Sequence, residues 1–112
     1  MPVGVTPVSP PDPVAQELID RAMNDLTQRK GIALEEITLD YFAYVAWPNT
    51  SLGCPEPGMF YADMLVDGYQ ILLRVGLQVY SYHGATSGDG PALCEGIGQK
   101  LDVPPPLPSL DQ

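Results

Sequence analysis

Basic residues are scarce in this chain. Its 112 residues include five Lys and Arg side chains against fourteen Asp and Glu, which gives a formal net charge of -9. Nucleic acids and anionic membrane surfaces are both bound through clustered cations. The charge balance therefore argues against both of them as partners. The acidic surface favours a basic protein partner and opposes self-association.

Long apolar runs and the common catalytic motifs are also missing. No apolar stretch approaches the roughly 20 residues that span a bilayer, so we expect no direct membrane insertion. The sequence has no Gly-rich phosphate loop, dinucleotide fingerprint, EF-hand pattern or Gly-X-Ser-X-Gly elbow. Two cysteines and one histidine supply at most three of the about four ligands of a zinc site. The sequence thus predicts no metal and no cofactor.

Proline and glycine are abundant but unevenly placed. The chain has 13 prolines and 11 glycines, and the prolines crowd residues 1–13 and 104–108. Such segments favour extended, polyproline-like backbone over a packed core. We therefore predict an extended Pro-rich tail at residues 1–11, a single domain at 12–98 and a second Pro-rich tail at 99–112. A domain of this size has a marginal core, so a covalent cross-link would help it.

Residues 12–30 have the pattern of the only long helix. Asp12 suits the N-cap, Pro13 suits the first helical position, and Gly31 suits a left-handed C-terminal stop. Apolar side chains recur at helical spacing and form one stripe, made by Val14, Ala15, Leu18, Ile19, Ala22, Met23 and Leu26. The helix is therefore amphipathic, and we expect its apolar stripe to pack on a sheet.

Residues 37–47 alternate in polarity and are rich in β-branched and aromatic side chains, which predicts a strand. The more apolar set is predicted to face the helix, and it comprises Ile37, Leu39, Tyr41, Ala43, Val45 and Trp47. Residues 60–66 are ambiguous between a strand and a short helical turn. The sequence therefore predicts one well-defined strand before the central loop of the chain.

The second half of the domain has the pattern of a β-hairpin. Asp67-Gly68 is a turn signal, and residues 69–75 and 77–83 alternate about Val75-Gly76. Residues 92–94 are a candidate last strand. Because strands joined by short turns run antiparallel, we predict an α+β fold. In it, one amphipathic N-terminal helix packs on a three- to five-stranded antiparallel sheet.

Cys54 and Cys94 allow two interpretations. Both lie beside turn-forming residues, and a bridge between them would remove roughly 4 kcal/mol of unfolded-state entropy by closing a loop of about 40 residues. The alternative is a pair of buried free thiols. We prefer the disulfide, which would place the protein outside the cytosol.

His83 is the only histidine, and the neighbouring Tyr80 and Tyr82 make it a candidate catalytic group. A nucleophile would have to lie within hydrogen-bond reach of it. The favoured interpretation is a strand-end histidine with a structural hydrogen bond. Asp63 and Asp67 are weak candidates for a calcium site.

Residues 47–59 are the most distinctive stretch, since three prolines and two glycines prevent a regular strand. One interpretation is a rigid loop that covers the sheet edge. The other is a recognition loop, because a preorganised loop loses less entropy on binding. Its candidate partner-binding residues are Trp47, Asn49, Ser51, Leu52 and Met59, together with Tyr61 just beyond it. This interpretation predicts that Trp47→Ala weakens partner capture and leaves the fold intact.

Residues 46–59 contain a Ser-Leu-Gly-Cys-Pro core followed by Pro-Gly, and Val66-Asp67-Gly68-Tyr69, Tyr80-Ser81-Tyr82-His83 and Cys94 follow. Over residues 14–95 the chain resembles a family of small uncharacterised bacterial domains of exported proteins and lipoproteins. The resemblance implies an extracytoplasmic setting and supports pairing Cys54 with Cys94, and it implies no activity. Residues 1–13 lack a signal peptide pattern, so the protein is either cytosolic or a mature form whose leader is absent from this sequence. The extracytoplasmic setting that the resemblance implies favours the mature form.

Together these observations predict a non-catalytic extracytoplasmic protein-interaction module, or an accessory subunit of an envelope or secreted assembly. It would contact its partner through residues 47–59. One alternative is a protease inhibitor that presents this disulfide-anchored loop. Another is a small enzyme that uses His83 with Tyr80 or Tyr82.

Overall fold

A computed structural model describes residues 4–88 and 90–94, in which one long helix lies on one sheet. The elements in chain order are β1 (Gly4–Pro7), α1 (Pro13–Lys30), a short 3-10 helix (Leu34–Glu36), β2 (Thr38–Trp47), β3 (Val66–Val75), β4 (Gln78–Ala85) and β5 (Ala92–Cys94). The five strands lie in sequence order, and each neighbouring pair is antiparallel. The predicted α+β fold is confirmed. Within the described ranges, no helix has both the length and the apolar composition to cross a membrane.

Helix α1 begins and ends at the residues that the sequence indicates. The Asp12 carboxylate accepts a hydrogen bond from the Ala15 backbone N–H at 2.8 Å, and Gly31 adopts the left-handed conformation with φ 69°. The buried face is formed by Ala15, Ile19, Ala22 and Leu26, at helical spacing. Val14, at the edge of the predicted stripe, is exposed. The helix thus attaches to the sheet through a narrow stripe.

The extended N-terminal segment has a definite place in the sheet. Its residues Gly4–Pro7 pair with β2 from Ala46 to Ala43, and the Val8 N–H continues the pairing to the Phe42 carbonyl. Strand β1 is therefore an edge strand, and Pro7 fits there because an edge position does not need every N–H. The predicted tail at 99–112 lies outside the described residues.

A β-bulge in β2 changes which of its side chains face the helix. Leu39 pairs with Leu73 and Tyr41 pairs with Leu72, which leaves Asp40 as an extra residue. Before the bulge, Ile37 and Leu39 face the helix as predicted. After it the faces exchange, because side chains alternate strictly along a strand. The prediction is therefore wrong for Tyr41, Ala43, Val45 and Trp47, which lie on the opposite face.

Strands β3 and β4 form the predicted hairpin, and both are longer than predicted. Val75 pairs with Gln78 across a turn in which Gly76 has a positive φ of 61° and Leu77 is fully exposed. The prediction of a turn at Asp67-Gly68 is wrong, because both residues lie inside β3. Gly68 is needed there for a close approach: a Cβ would collide with the Gly84 carbonyl and the Trp47 indole.

Two apolar clusters lie on the two faces of the sheet. The helix-side cluster joins the buried stripe of α1 to Phe42, Tyr69, Ile71, Leu73 and Tyr82. The loop-side cluster consists of Ala43, Val45 and Trp47, with Tyr41, Leu52 and Val66 packed against it. Residues 48–65, here called the β2–β3 loop, supply the cover of the second cluster through Leu52. The sheet is thus covered by the helix on one face and by this loop on the other.

Candidate functional site

Trp47, the last residue of β2, is the centre of the loop-side cluster. Its side chain is 1% exposed, its ring stacks on the His83 ring with centroids 4.8 Å apart, and its indole N–H donates to the Gly84 carbonyl at 3.2 Å. A Cβ at Gly53 would collide with the six-membered ring of Trp47. The β2–β3 loop therefore closes directly onto the indole. Trp47, predicted as a contact residue, supports the loop from below and is not on the surface.

His83, on β4, is the polar link between the sheet and the loop. Its ring is 6% exposed, and Nδ1 lies 2.8 Å from the Leu52 carbonyl oxygen, to which it donates. Nε2 then carries no proton and accepts from the Ser81 hydroxyl at 2.8 Å. Burial lowers the pKa of His83 to about 4, although the hydrogen bond to the Leu52 carbonyl favours the charged form. His83 is therefore neutral near pH 7 and holds the loop in place.

The tyrosines beside His83 lie on the other face of the sheet. Tyr82 belongs to the helix-side cluster, and its hydroxyl donates to the Asp25 carboxylate at 2.8 Å. Tyr80 packs against the same cluster. Adjacent residues of a strand face opposite ways, so Tyr80 and Tyr82 lie on the face opposite His83 and cannot act beside it as predicted. The hydroxyl that lies beside His83 Nε2 is that of Ser81, which is buried with it, and the Gln70 amide lies 3.5 Å from the same nitrogen.

The predicted disulfide is present and ties the loop to the edge of the sheet. Cys54 in the loop is bonded to Cys94 at the end of β5, with 5.8 Å between their Cα atoms and a sequence separation of 40. Ser81 pairs with Cys94 across the β4–β5 ladder. The bridge and the His83–Leu52 hydrogen bond therefore fix neighbouring parts of the loop to the same region of the sheet.

The remaining predicted contact residues stabilise the loop itself. The Asn49 side-chain oxygen accepts from the Ser51 backbone N–H at 3.0 Å and also from the Ser51 hydroxyl. The Tyr61 hydroxyl accepts from the Glu56 N–H at 3.0 Å. Leu52 has a positive φ of 56° and directs its carbonyl toward His83. Asn49, Ser51 and Tyr61 therefore shape the loop from within, and Leu52 joins it to the sheet.

The loop exposes four large apolar side chains within seven consecutive residues. They are Met59 (57% exposed), Phe60 (97%), Met64 (56%) and Leu65 (67%), and we call them the apolar rim. The backbone between them is anchored, because Ala62 exchanges hydrogen bonds with Thr50 through its carbonyl and its N–H. Only Met59 of these four is among the predicted contact residues. The signal for the other three is the largely apolar composition of residues 59–65, which Asp63 interrupts and which follows neither helical nor strand periodicity.

The surroundings of the apolar rim are acidic. From residue 31 to residue 73 the sequence contains no Lys or Arg, and Glu56, Asp63 and Asp67 are exposed. Among residues 4–88 and 90–94, no group of three or more His, Cys, Asp and Glu side chains is arranged to hold a metal ion. The rim therefore combines apolar area with negative charge.

Comparison with known proteins gives one match. A family model described as a domain of unknown function (DUF8738) matches residues 19–94, from the middle of α1 to the second cysteine. No curated protein and no solved structure matches the chain. The matched span contains the β2–β3 loop, His83 and both cysteines.

Proposed function

The chain belongs to this DUF8738 family, a domain of unknown function, and we propose that it is a non-catalytic protein-interaction module of an extracytoplasmic assembly. Its contact surface is the apolar rim of the β2–β3 loop. The observation that carries the proposal is the exposure of Met59, Phe60, Met64 and Leu65 on a loop that the disulfide, the His83–Leu52 hydrogen bond and the Thr50–Ala62 pairing hold in place.

Exposed apolar side chains are unfavourable in water, and burial against a partner removes this free-energy cost. Each of these four side chains is more than half exposed, and Phe60 is almost fully so. Burying apolar surface contributes about 25 cal/mol per Å², and contiguous exposed apolar residues mark interaction sites in soluble proteins. Phe and Met are also enriched in interface cores. The rim therefore supplies the driving force for association.

The support beneath the rim favours binding with little loss of entropy. The disulfide, the His83–Leu52 hydrogen bond and the Thr50–Ala62 pairing fix the loop before a partner arrives. Since a preorganised segment loses less conformational freedom on binding, more of the burial energy appears as affinity. We propose that Trp47 and His83 contribute to binding by preorganising the loop.

The partner that fits this surface is a protein with an apolar contact area bordered by basic residues. The net charge of -9 would attract such a partner, and residues 31–73 contain Asp and Glu but no Lys or Arg to oppose it. The disulfide is compatible with an oxidising location outside the cytoplasm, and we place the assembly in the cell envelope or the secreted fraction. Protease inhibition and catalysis by His83 stay predictions. The Ser81 hydroxyl lies 2.8 Å from His83 Nε2, and both side chains are buried, away from any substrate in solvent.

Photo-crosslinking from matched positions tests the proposed surface. A benzophenone side chain replaces Phe60 in one variant and Leu77 in the other, both highly exposed in the native protein. Leu77 lies in the turn after β3, and the ten residues of this strand separate it from the loop by about 30 Å. Irradiation in the envelope and secreted fractions of the producing cell should give one adduct of defined mass from position 60 and none from 77. No adduct from position 60, or the same adduct from both, would refute the proposal.

A further inference from the structure

We propose that Met59 and Met64 form a paired oxidation site whose sulfoxides switch off the apolar rim. The inference rests on the proposed function of that rim. The two thioethers lie on the two sides of Phe60 in sequence, and both side chains are more than half exposed. Oxidation of either one therefore places a polar group in the apolar rim.

The oxidant required is a peroxide, such as hydrogen peroxide. A lone pair of the methionine sulfur attacks one peroxide oxygen, the O–O bond breaks, and water leaves after proton transfer. The sulfur is oxidised by two electrons and the peroxide is reduced by two. Each event adds one oxygen atom and converts a flexible apolar side chain into a polar, chiral one.

Two sulfoxides would oppose association without opposing folding. Each S–O group is a strong hydrogen-bond acceptor, and a partner that buries it without a donor must remove its hydration at a cost. Met59 and Met64 belong to neither of the two apolar clusters, so the sulfoxides do not enter the core. The oxidised protein should keep its fold and lose its contact surface.

The chain contains an internal control for this selectivity. Met23, on α1, is partly buried and packs against the helix-side cluster. Its sulfur is less accessible to peroxide than the sulfurs of the rim. Met1, the remaining methionine of the sequence, lies outside the described residues.

Peptide mapping by mass spectrometry after brief treatment with hydrogen peroxide tests the site itself. We expect Met59 and Met64 to gain oxygen several-fold faster than Met23. The treated protein should elute earlier from a phenyl-bearing hydrophobic support, with an unchanged thermal midpoint. The Met59→Leu/Met64→Leu double variant keeps the apolar area and should not change its elution after the same treatment. Equal oxidation of Met23, or equal shifts in both proteins, would overturn the proposal.

The adduct formed from position 60 tests the switch. Peroxide treatment should lower its yield in the protein that retains both methionines and leave the yield unchanged in the double variant. Methionine sulfoxide reductases should restore the yield. If an adduct forms before treatment and peroxide does not lower its yield, the switch is wrong and the proposed function stands. If no adduct forms even before treatment, the proposed function fails, and the switch fails with it.

Discussion

Trp47 and Phe60 are both large aromatic residues, but Trp47 is buried beneath the β2–β3 loop and Phe60 is exposed on its outer surface. Trp47 is enclosed by the loop, stacked on His83 and hydrogen-bonded to the Gly84 carbonyl. Phe60 contacts mostly solvent. A buried aromatic contributes to the stability of the fold, whereas an exposed one can contribute only when a partner covers it. Substitution of the two residues should therefore separate stability from binding.

Trp47→Ala should lower the free energy of unfolding by about 3–5 kcal/mol, because it removes a buried indole and leaves a cavity under the loop. This reverses the expectation that the variant would keep its fold intact. Urea denaturation followed by circular dichroism measures the change, with Leu77→Ala as the exposed control. A Trp47→Ala variant as stable as the control would contradict the packing described above.

His83 should make stability depend on pH in the acidic range. Its pKa is about 4 in the folded protein, below the usual value of 6.5, so the unfolded chain binds the proton first as pH falls. The free energy of unfolding should therefore decrease as pH falls from about 6.5 to about 4, by about 3 kcal/mol in all.

Comparison with His83→Gln isolates the contribution of His83, because this variant carries no ionisable group at position 83. The carboxylates titrate in both proteins, including Asp25, whose pKa is lowered mainly by its hydrogen bond from Arg29. Urea denaturation at a series of pH values should give a smaller slope for the variant. Parallel slopes would mean that His83 does not stay neutral in the folded state.

Among the elements, α1 and β2 show what the sequence predicts and what it does not. The helix boundaries follow from local chemistry, since the cap at Asp12 and the stop at Gly31 depend on residues nearby in sequence. The faces of β2 depend on one extra residue at Asp40, whose carboxylate pairs with Arg74 on β3. The position of that bulge depends on a partner strand more than 30 residues away in sequence. Alternation alone therefore assigned the wrong face beyond Leu39.

The candidate site could also be predicted only in part, because some of its features depend on contacts between residues far apart in sequence. The disulfide and the irregular loop follow from the cysteines, prolines and glycines of the sequence. Burial of Trp47 does not, because it depends on the glycines at 53 and 68, which leave room for the indole only after the loop has folded over the sheet.

Removal of the disulfide should loosen the β2–β3 loop more than the rest of the sheet. The Cys54→Ser/Cys94→Ser double variant should lose about 2–4 kcal/mol of stability, as expected for a bridge that closes a loop of this length. Hydrogen exchange should speed up at the amides of the loop, with a smaller change in the β3–β4 hairpin, which the bridge does not join. Equal acceleration in both elements would contradict the tethering role of the disulfide.

At the scale of the whole molecule, the two faces of the sheet are covered by different elements. The helix covers one face and completes the larger core. The β2–β3 loop covers the other face and presents the apolar rim, in a part of the sequence without Lys or Arg. The β2–β3 loop therefore has both a structural role and the proposed binding role: its inner side stabilises the domain, and its outer side is free to bind.

The most direct test of this division is the affinity of the protein that the position-60 adduct identifies. It should be measured by titration calorimetry with wild-type protein, Phe60→Ser and Leu77→Ser. Phe60→Ser should weaken binding about tenfold or more with an unchanged free energy of unfolding, because it removes a central apolar contact and no core residue. Leu77→Ser should bind like the wild type. Equal affinity of Phe60→Ser and the wild type would contradict the assignment of the apolar rim as the contact surface.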